Sequence, residues 1–361
     1  MACIFAGHSM KILITGICGF AGSTIARALL AERPGLELTG IDNLSREGSH
    51  HNLTPLRAAG VRVTHGDLRC PSDLETLPPV DAVIDCAAEP SVLAGLDPGN
   101  GSRRLVEHNL IGTLHLLEYC KRHRAALILI STSRVYSIPP LSTLPLVVRN
   151  GGFAPDPEKP LPAGMSVNGV AETFSTEPPV SLYGATKRAS ETMALEYGEA
   201  FNFPVWINRC GVLSGAGQFG RADQGIFSYW IREWAVRRPL RFIGFGGEGH
   251  QVRDCLHPAD LAPLLLAQLD TLPNKTVPRT LNIAGGTTQC MSLRQLSAWC
   301  RERLGPHEVA TDPKDRPYDL PWVVLDCAAA EKTWGWRPRT PLASILEEIA
   351  AHSLAHPNWP R

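Results

Sequence analysis

One short stretch constrains the fold more than any other. Thr15 to Gly22 reads TGICGFAG, between the apolar run KILIT (11–15) and the helix-like STIARALLAE (23–32). Its glycines at 16, 19 and 22 form a GxxGxxG turn where a strand hands over to a helix. Gly16 permits the tight turn, Gly19 lets a pyrophosphate approach the backbone, and Gly22 allows helix and strand to pack closely. The helix N-terminus then directs its partial positive charge at the phosphates. Such glycines alone are weak evidence, but the context supports them. The next strand-like run, ELTGID (37–42), ends in Asp42. It lies about 20 residues beyond the turn, where a carboxylate meets the adenosine ribose of a dinucleotide; otherwise it caps the next segment. A carboxylate there repels a 2′-phosphate, so NAD is expected rather than NADP. Asp67, in HGDLR, ends the following run and either meets the adenine or caps a helix.

The alternation continues through VRVTHGD (61–67), AVIDCAA (82–88), AALILIST (125–132) and PVWINR (204–209). Helix-like stretches lie at 104–123, 181–201 and 225–238. Near-continuous apolar strands between helices predict an α/β fold, a Rossmann-type doubly wound parallel sheet with helices on both faces. Residues 1–9 read as an N-terminal extension, because Met10 stands directly before the first strand. Residues 10–209 are expected to form the NAD-binding domain. Within it, 138–180 is an insertion of proline, glycine and short polar pieces, expected as a loop or lid. Residues 210–361 are expected mainly to form a smaller C-terminal α/β substrate-binding lobe, with segments returning to the first domain. There Phe227, Trp230 and Trp234 share one helical face and read as core before nucleobase stack.

Composition narrows the function class. The 361 residues are 44% hydrophobic and balanced at zero net charge, which permits a large core. That balance gives no support to a nucleic-acid or anionic-membrane partner. No apolar run approaches a membrane span. The ten cysteines form no CxxC pair and no zinc-like cluster with histidine, so no metal is expected. Reduced thiols in a cytoplasm are the simple reading. The leader MACIFAGHS lacks the basic start and long apolar core of a signal peptide.

A second motif lies in VSLYGATKRASE (180–191), where Tyr183 and Lys187 stand one helical turn apart on a shared face. Many surface helices carry such a pair without chemistry. As a catalytic pair it makes physical sense. A free tyrosine has a pKa of about 10, and a base working near neutrality needs that lowered by roughly three pH units, about 4 kcal/mol. A lysine ammonium, the helix N-terminus and an oxidised nicotinamide ring each favour the phenolate.

Taken in order, GxxGxxG, Asp42-Asn43-Leu44, GDLR, NLIGT (109–113), a Ser/Thr run before Val135-Tyr136, and Tyr183-x-x-x-Lys187 resemble the extended short-chain dehydrogenase/reductase family. Its members mostly modify nucleotide-diphosphate sugars. The resemblance covers roughly residues 10 to 350 and extends to QVRDCLHPADL (251–261) and AAEKTWGWRPRTPL (329–342). It implies a cofactor site of Gly16, Gly19, Phe20, Ala21, Gly22, Asp42, Asn43, Asp67, Leu68, Ala87 and Asn109. Tyr183 and Lys187 complete it. It implies Tyr183 as the acid and base on a sugar hydroxyl, Lys187 as its partner on the nicotinamide ribose, and Thr132 as the hydroxyl that positions the reacting oxygen. Glu89, Ser133, Arg209, Gln218 and Arg253 are implied on the substrate side, Arg253 as a fork of donors for the diphosphate.

The stretch ISTSRVYS (130–137) narrows the reaction. Sugar 4,6-dehydratases of the family follow the threonine with an aspartate and a glutamate. Here those positions are Ser133 and Arg134, and arginine cannot serve as a base at neutral pH. Elimination lacks its residues, which leaves epimerisation, or simple oxidation or reduction. Gln218-Phe219, Asp223-Gln224-Gly225 and Gln251-Val252-Arg253-Asp254 resemble the CDP-tyvelose (CDP-paratose) 2-epimerase branch, so a CDP-sugar is the favoured substrate. UDP- or GDP-sugar 4-epimerases, a net reductase and a non-catalytic NAD(H)-binding regulator are the alternatives. Val212 stands where many relatives place a substrate-contacting asparagine, and Ser137 replaces the usual glycine after Val-Tyr. The resemblance also implies a homodimer through the helices at 104–123 and 181–201.

Overall fold

The structure, a computed structural model, describes residues 9–96, 101–271 and 277–360. Of the expected extension 1–9, only Ser9 falls within them. Seven strands build the main sheet: β1 (Lys11–Thr15), β2 (Glu37–Asp42), β3 (Arg62–His65), β4 (Ala82–Asp85), β5 (Ala126–Thr132), β6 (Val205–Cys210) and β7 (Thr280–Ile283). Their spatial order is β7-β6-β5-β4-β1-β2-β3, and every neighbouring pair is parallel. The winding reverses between β1 and β4. Such a switch point opens a crevice at the carboxyl ends of the strands, where ligands of open α/β sheets bind.

Side chains alternate across the sheet with period two. Ile12, Ile14, Ala82, Ile84, Ile128 and Trp206 enter one core with α1 (Phe20–Glu32) and the helix Ala262–Leu269. Leu13, Val83, Leu127, Leu129, Val205 and Ile207 enter the other, against α2 (Gly112–His123) and α3 (Ser181–Phe201). Both faces are covered, which explains the near-continuous apolar strands. Strand β7 comes from the C-terminal half of the chain. It lies seventy residues beyond β6, and only its pairing with β6 marks it.

The smaller lobe holds a four-stranded sheet from Val212–Leu213, Val252–Leu256, Cys290–Ser292 and Trp322–Val323. Beside it, α4 (Ile226–Ala235) packs Phe227, Trp230 and Trp234 against Leu296, Ile345 and Ile349. The insertion 138–180 is more ordered than a loop. It contains a short helix, Ile138–Ser142, and two antiparallel hairpins, Leu146–Arg149 with Gly152–Pro155 and Met165–Ser166 with Gly169–Val170. Leu141, Val170 and Phe174 share a core with Tyr136, Trp322 and Leu325. Its proline and glycine content reflects hairpin turns, and its anchor includes residues as distant as Trp322 and Leu325.

Candidate active site

The glycine turn sits at the switch point as its chemistry requires. Gly16 has φ of +60°, and a Cβ there would meet the Cα of Ala87 at 2.9 Å. A Cβ on Gly22 would lie 2.3 Å from the carbonyl oxygen of Gly16, so α1 approaches the turn only without a side chain. No side chain caps the N-terminus of α1, whose N-cap is Gly19. Its free backbone N–H groups therefore face the cleft as an anion site. Asp42, at the end of β2, accepts from the backbone N–H of Cys18 (2.9 Å) and of Leu44 (2.8 Å). Burial pushes its carboxyl above the usual range, and these donors pull against that. With the Gly19 N–H also acting on it, the carboxylate still keeps an acceptor lone pair for a ribose hydroxyl. Asp67 accepts from Asn43 at 3.0 Å and is ion-paired with Arg69 at 2.7 Å, which holds it well below the usual carboxylate range. A cradle that excludes side chains, an uncapped helix and a placed carboxylate fit a dinucleotide.

The catalytic wall is built where β5 ends. Thr132 closes the strand, and its hydroxyl accepts the backbone N–H of Arg134 at 3.2 Å, capping the turn Ser133–Val135. Helix α3 leans on that turn through Gly184, where a Cβ would stand 2.2 Å from the Arg134 carbonyl oxygen. Ser181, at φ of +70°, starts the helix and caps it by accepting the Gly184 N–H at 3.1 Å. These local devices bring Tyr183 and Thr132 together on one wall of the cleft. Tyr183 is 6% exposed and Lys187, one turn on, 2%.

Burial pushes the Tyr183 phenol up to about 12, against the opposing pull of the Thr132 hydrogen bond and the Arg134 guanidinium. The protein's own groups thus hold it as a phenol. Among the described residues, the Arg134 guanidinium pulls the Tyr183 phenol downward.

Gly16, Gly19, Phe20, Ala21, Gly22, Asp42, Asn43, Asp67, Leu68, Ala87, Glu89, Thr132, Ser133, Tyr183, Lys187 and Gln218 all line one cleft of about 1960 Å³. Arg253 lines an adjoining chamber of about 810 Å³, which shares Arg134 and Val212 with the cleft. There Arg253 is ion-paired with Asp319 at 2.8 Å. Two expected site residues stand elsewhere. Arg209 points into the layer between sheet and α3, where it pairs with Glu191 at 2.7 Å and donates to the Tyr136 hydroxyl at 3.3 Å. Burial lowers its pKa, but Glu191 overturns this and the net direction is up. A guanidinium so engaged supports the wall from behind, not the substrate. Asn109, in a single π-helical turn, accepts the Glu89 N–H at 2.8 Å and donates to the Thr186 hydroxyl at 3.3 Å. It ties the loop after β4 to α3, and so positions the cleft without lining it.

Arg134, Arg316 and Asp319 line the chamber and went unrecognised as site residues in the sequence. Arg134 was legible there only as a residue unable to act as base. Arg316 and Asp319 lie in a stretch without periodicity. Among the described residues no cluster of potential metal ligands occurs and no helix is long and apolar enough to cross a membrane.

The family model of NAD dependent epimerases/dehydratases matches residues 12–284. The CDP-paratose 2-epimerase of Salmonella typhi is 29% identical over 341 residues, covering 91% of this chain and 95% of that protein. The UDP-glucuronate 4-epimerase of Thermodesulfobacterium geofontis is 25% identical over 346 residues, 93% of each. The solved UDP-glucuronic acid 4-epimerase from Bacillus cereus, in complex with UDP-glucuronic acid and NAD, superposes with a TM-score of 0.76 at 25% identity, over 95% of this chain and 99% of that one. A match of that extent, on a cradle shaped for the same dinucleotide, makes this chain a member of the NAD-dependent epimerase/dehydratase family of nucleotide-sugar enzymes, with NAD as its cofactor.

Proposed function

We propose that the protein epimerises a nucleotide-diphosphate sugar through a transient keto-sugar, with a CDP-paratose/CDP-tyvelose type 2-epimerisation as the favoured reaction. The observation that carries this is the cleft wall that brings Thr132, buried Tyr183 and Lys187 together, with no carboxyl group at 133 or 134. Gly16, Gly19, Gly22 and Asp42 would hold NAD, which when bound would supply the acceptor and donor of hydride. Tyr183 takes the proton of the reacting hydroxyl and later returns it. Thr132 fixes that oxygen against Tyr183. Lys187 stands buried on the same helix face, one turn beyond Tyr183. Arg253 anchors the diphosphate, and binding energy from the remote nucleotide retains the keto-sugar while it turns over in the pocket. The similarity to the Salmonella typhi enzyme supports carbon 2 and a cytidine nucleotide.

A second reading, a UDP-sugar 4-epimerase, is favoured by one observation: the cleft carries Arg134, which has no ion pair among the described residues, and two of the relatives are named as UDP-glucuronate 4-epimerases. Substrate deuterated at carbon 2 separates the two. A 2-epimerase inverts that carbon and keeps the label there, with no added cofactor. Inversion at carbon 4, with the carbon 2 label untouched, would refute the favoured reading. Exposed Val106 (37%), Leu182 (41%) and Phe201 (42%), on or beside the helices at 104–123 and 181–201, support a homodimer, which a monomer in sedimentation equilibrium would refute. The nine described cysteines are free thiols, which supports a cytoplasmic location, testable by cell fractionation.

A further inference from the structure

Arg134 is fixed to the catalytic turn at both ends of its backbone. Thr132 accepts its N–H at 3.2 Å, and Gly184 of α3 closes against its carbonyl. Its side chain lies at the junction of the NAD cleft and the second chamber, lining both. Among the described residues no carboxylate comes within 4.0 Å of it, and its one recorded side-chain hydrogen bond is to the Tyr318 carbonyl at 3.4 Å.

The neighbouring charges answer it only in part, through the longer-range attraction of Asp319. Asp319 is already shared by Arg253, at 2.8 Å, and Arg316, at 3.6 Å. Asp223, on the same chamber, accepts from Ser91. Three guanidinium groups therefore face two carboxylates in a partly enclosed space, and the excess positive charge falls at Arg134. Burial and the like charge of Arg253 lower its pKa to about 10, which still leaves it charged at neutral pH. A cation kept in such a place without a partner is costly unless a ligand supplies one.

We propose that Arg134 is a specificity-determining residue that binds an oxyanion of the substrate beside the reacting sugar, either a carboxylate on the ring or the phosphate nearer to it. This rests on the nucleotide-sugar reading above. The guanidinium fork suits either group, since both present paired oxygens. With the ring carboxylate, Arg134 selects sugar acids over neutral sugars. With the phosphate, it positions the sugar against Thr132 and Tyr183 whatever the sugar carries.

Calorimetric binding to the NAD-loaded protein tests this, because it is read without turnover. The probes are a nucleoside diphosphate, its glucose conjugate and its glucuronate conjugate, in uridine and cytidine series; the series that the unmodified protein binds more tightly is used. Arg134→Gln should weaken the contacted ligands about thirtyfold, the size of truncating one partner of a buried charged hydrogen bond. Loss confined to the glucuronate conjugate identifies the carboxylate. Equal loss for all three identifies the phosphate. Arg134→Lys, which keeps the charge and loses the fork, should recover part of the affinity. Thermal midpoint and NAD content monitor folding in both variants. Unchanged affinity of Arg134→Gln for all three probes overturns the proposal, as does a lowered midpoint with unchanged affinities. If the unmodified protein binds neither series, the nucleotide-sugar reading itself fails, which is a different result from loss of the Arg134 contact alone.

Discussion

Replacing Glu191 by glutamine should destabilise the protein by about 3 kcal/mol, because it leaves the Arg209 charge buried and unanswered. The side chains of Glu191 and Arg209 are 1% and 7% exposed. The carboxylate takes Arg209 Nη2 at 2.7 Å and Nε at 3.0 Å, and the Ser131 hydroxyl at 2.6 Å. Two charge-assisted hydrogen bonds at roughly 1.5–3 kcal/mol each bound the loss from above, since the glutamine oxygen restores one contact. Arg209 also keeps the Tyr136 ring, 5.1 Å from its guanidinium carbon, which offsets roughly 1 kcal/mol. The assay is chemical denaturation with an unchanged slope, or a thermal midpoint lower by on the order of 6 °C. Replacing both partners, as Glu191→Leu with Arg209→Met, should recover most of the stability, because no buried charge is then left unpaired; Arg188, 3.7 Å from Glu191 and 38% exposed, loses only a long contact that water replaces. A loss near zero for Glu191→Gln, or a double variant no better than the single one, would refute the reasoning. The double variant also asks what Arg209 does. With stability recovered, KM should be close to that of the unmodified protein, and a large rise would return Arg209 to the substrate.

Two further outcomes are expected. Tyr183→Phe should keep the fold and the NAD content while lowering turnover by two or more orders of magnitude, roughly the worth of a positioned proton relay; near-normal turnover on the true substrate would remove Tyr183 from the chemistry. The unmodified protein should prefer NAD to NADP, and Asp42→Ala should relax that preference. Equilibrium binding of the two cofactors measures it, and tighter binding of NADP by the unmodified protein would contradict the placement of Asp42 at the ribose.

The division between what the chain announces and what the fold decides follows the range of the interactions. TGICGFAG, Asp42, Thr132 and the Tyr183–Lys187 pair are short-range devices: a turn, a strand end and one helical turn. Each acts through a handful of consecutive residues, so each is visible in the sequence, and so is the α/β alternation that carries them. The fate of Arg209 is not local. In a parallel sheet buried on both faces, a charged strand residue must find its partner in a helix layer. All six residues of Val205–Cys210 are buried, so nothing in the strand tells which face holds an anion. The fold answers with Glu191, one turn beyond Lys187 on α3. Asn109 is similar: its motif predicts the cofactor, but hydrogen bonds to Glu89 and Thr186 make it a brace behind the cleft. The chamber around Arg134, Arg253, Arg316 and Asp319 joins segments nearly 190 residues apart, and its unbalanced charge exists only once they meet. Sequence spacing carries no record of that meeting, because the groups interact through the space that the two lobes leave between them.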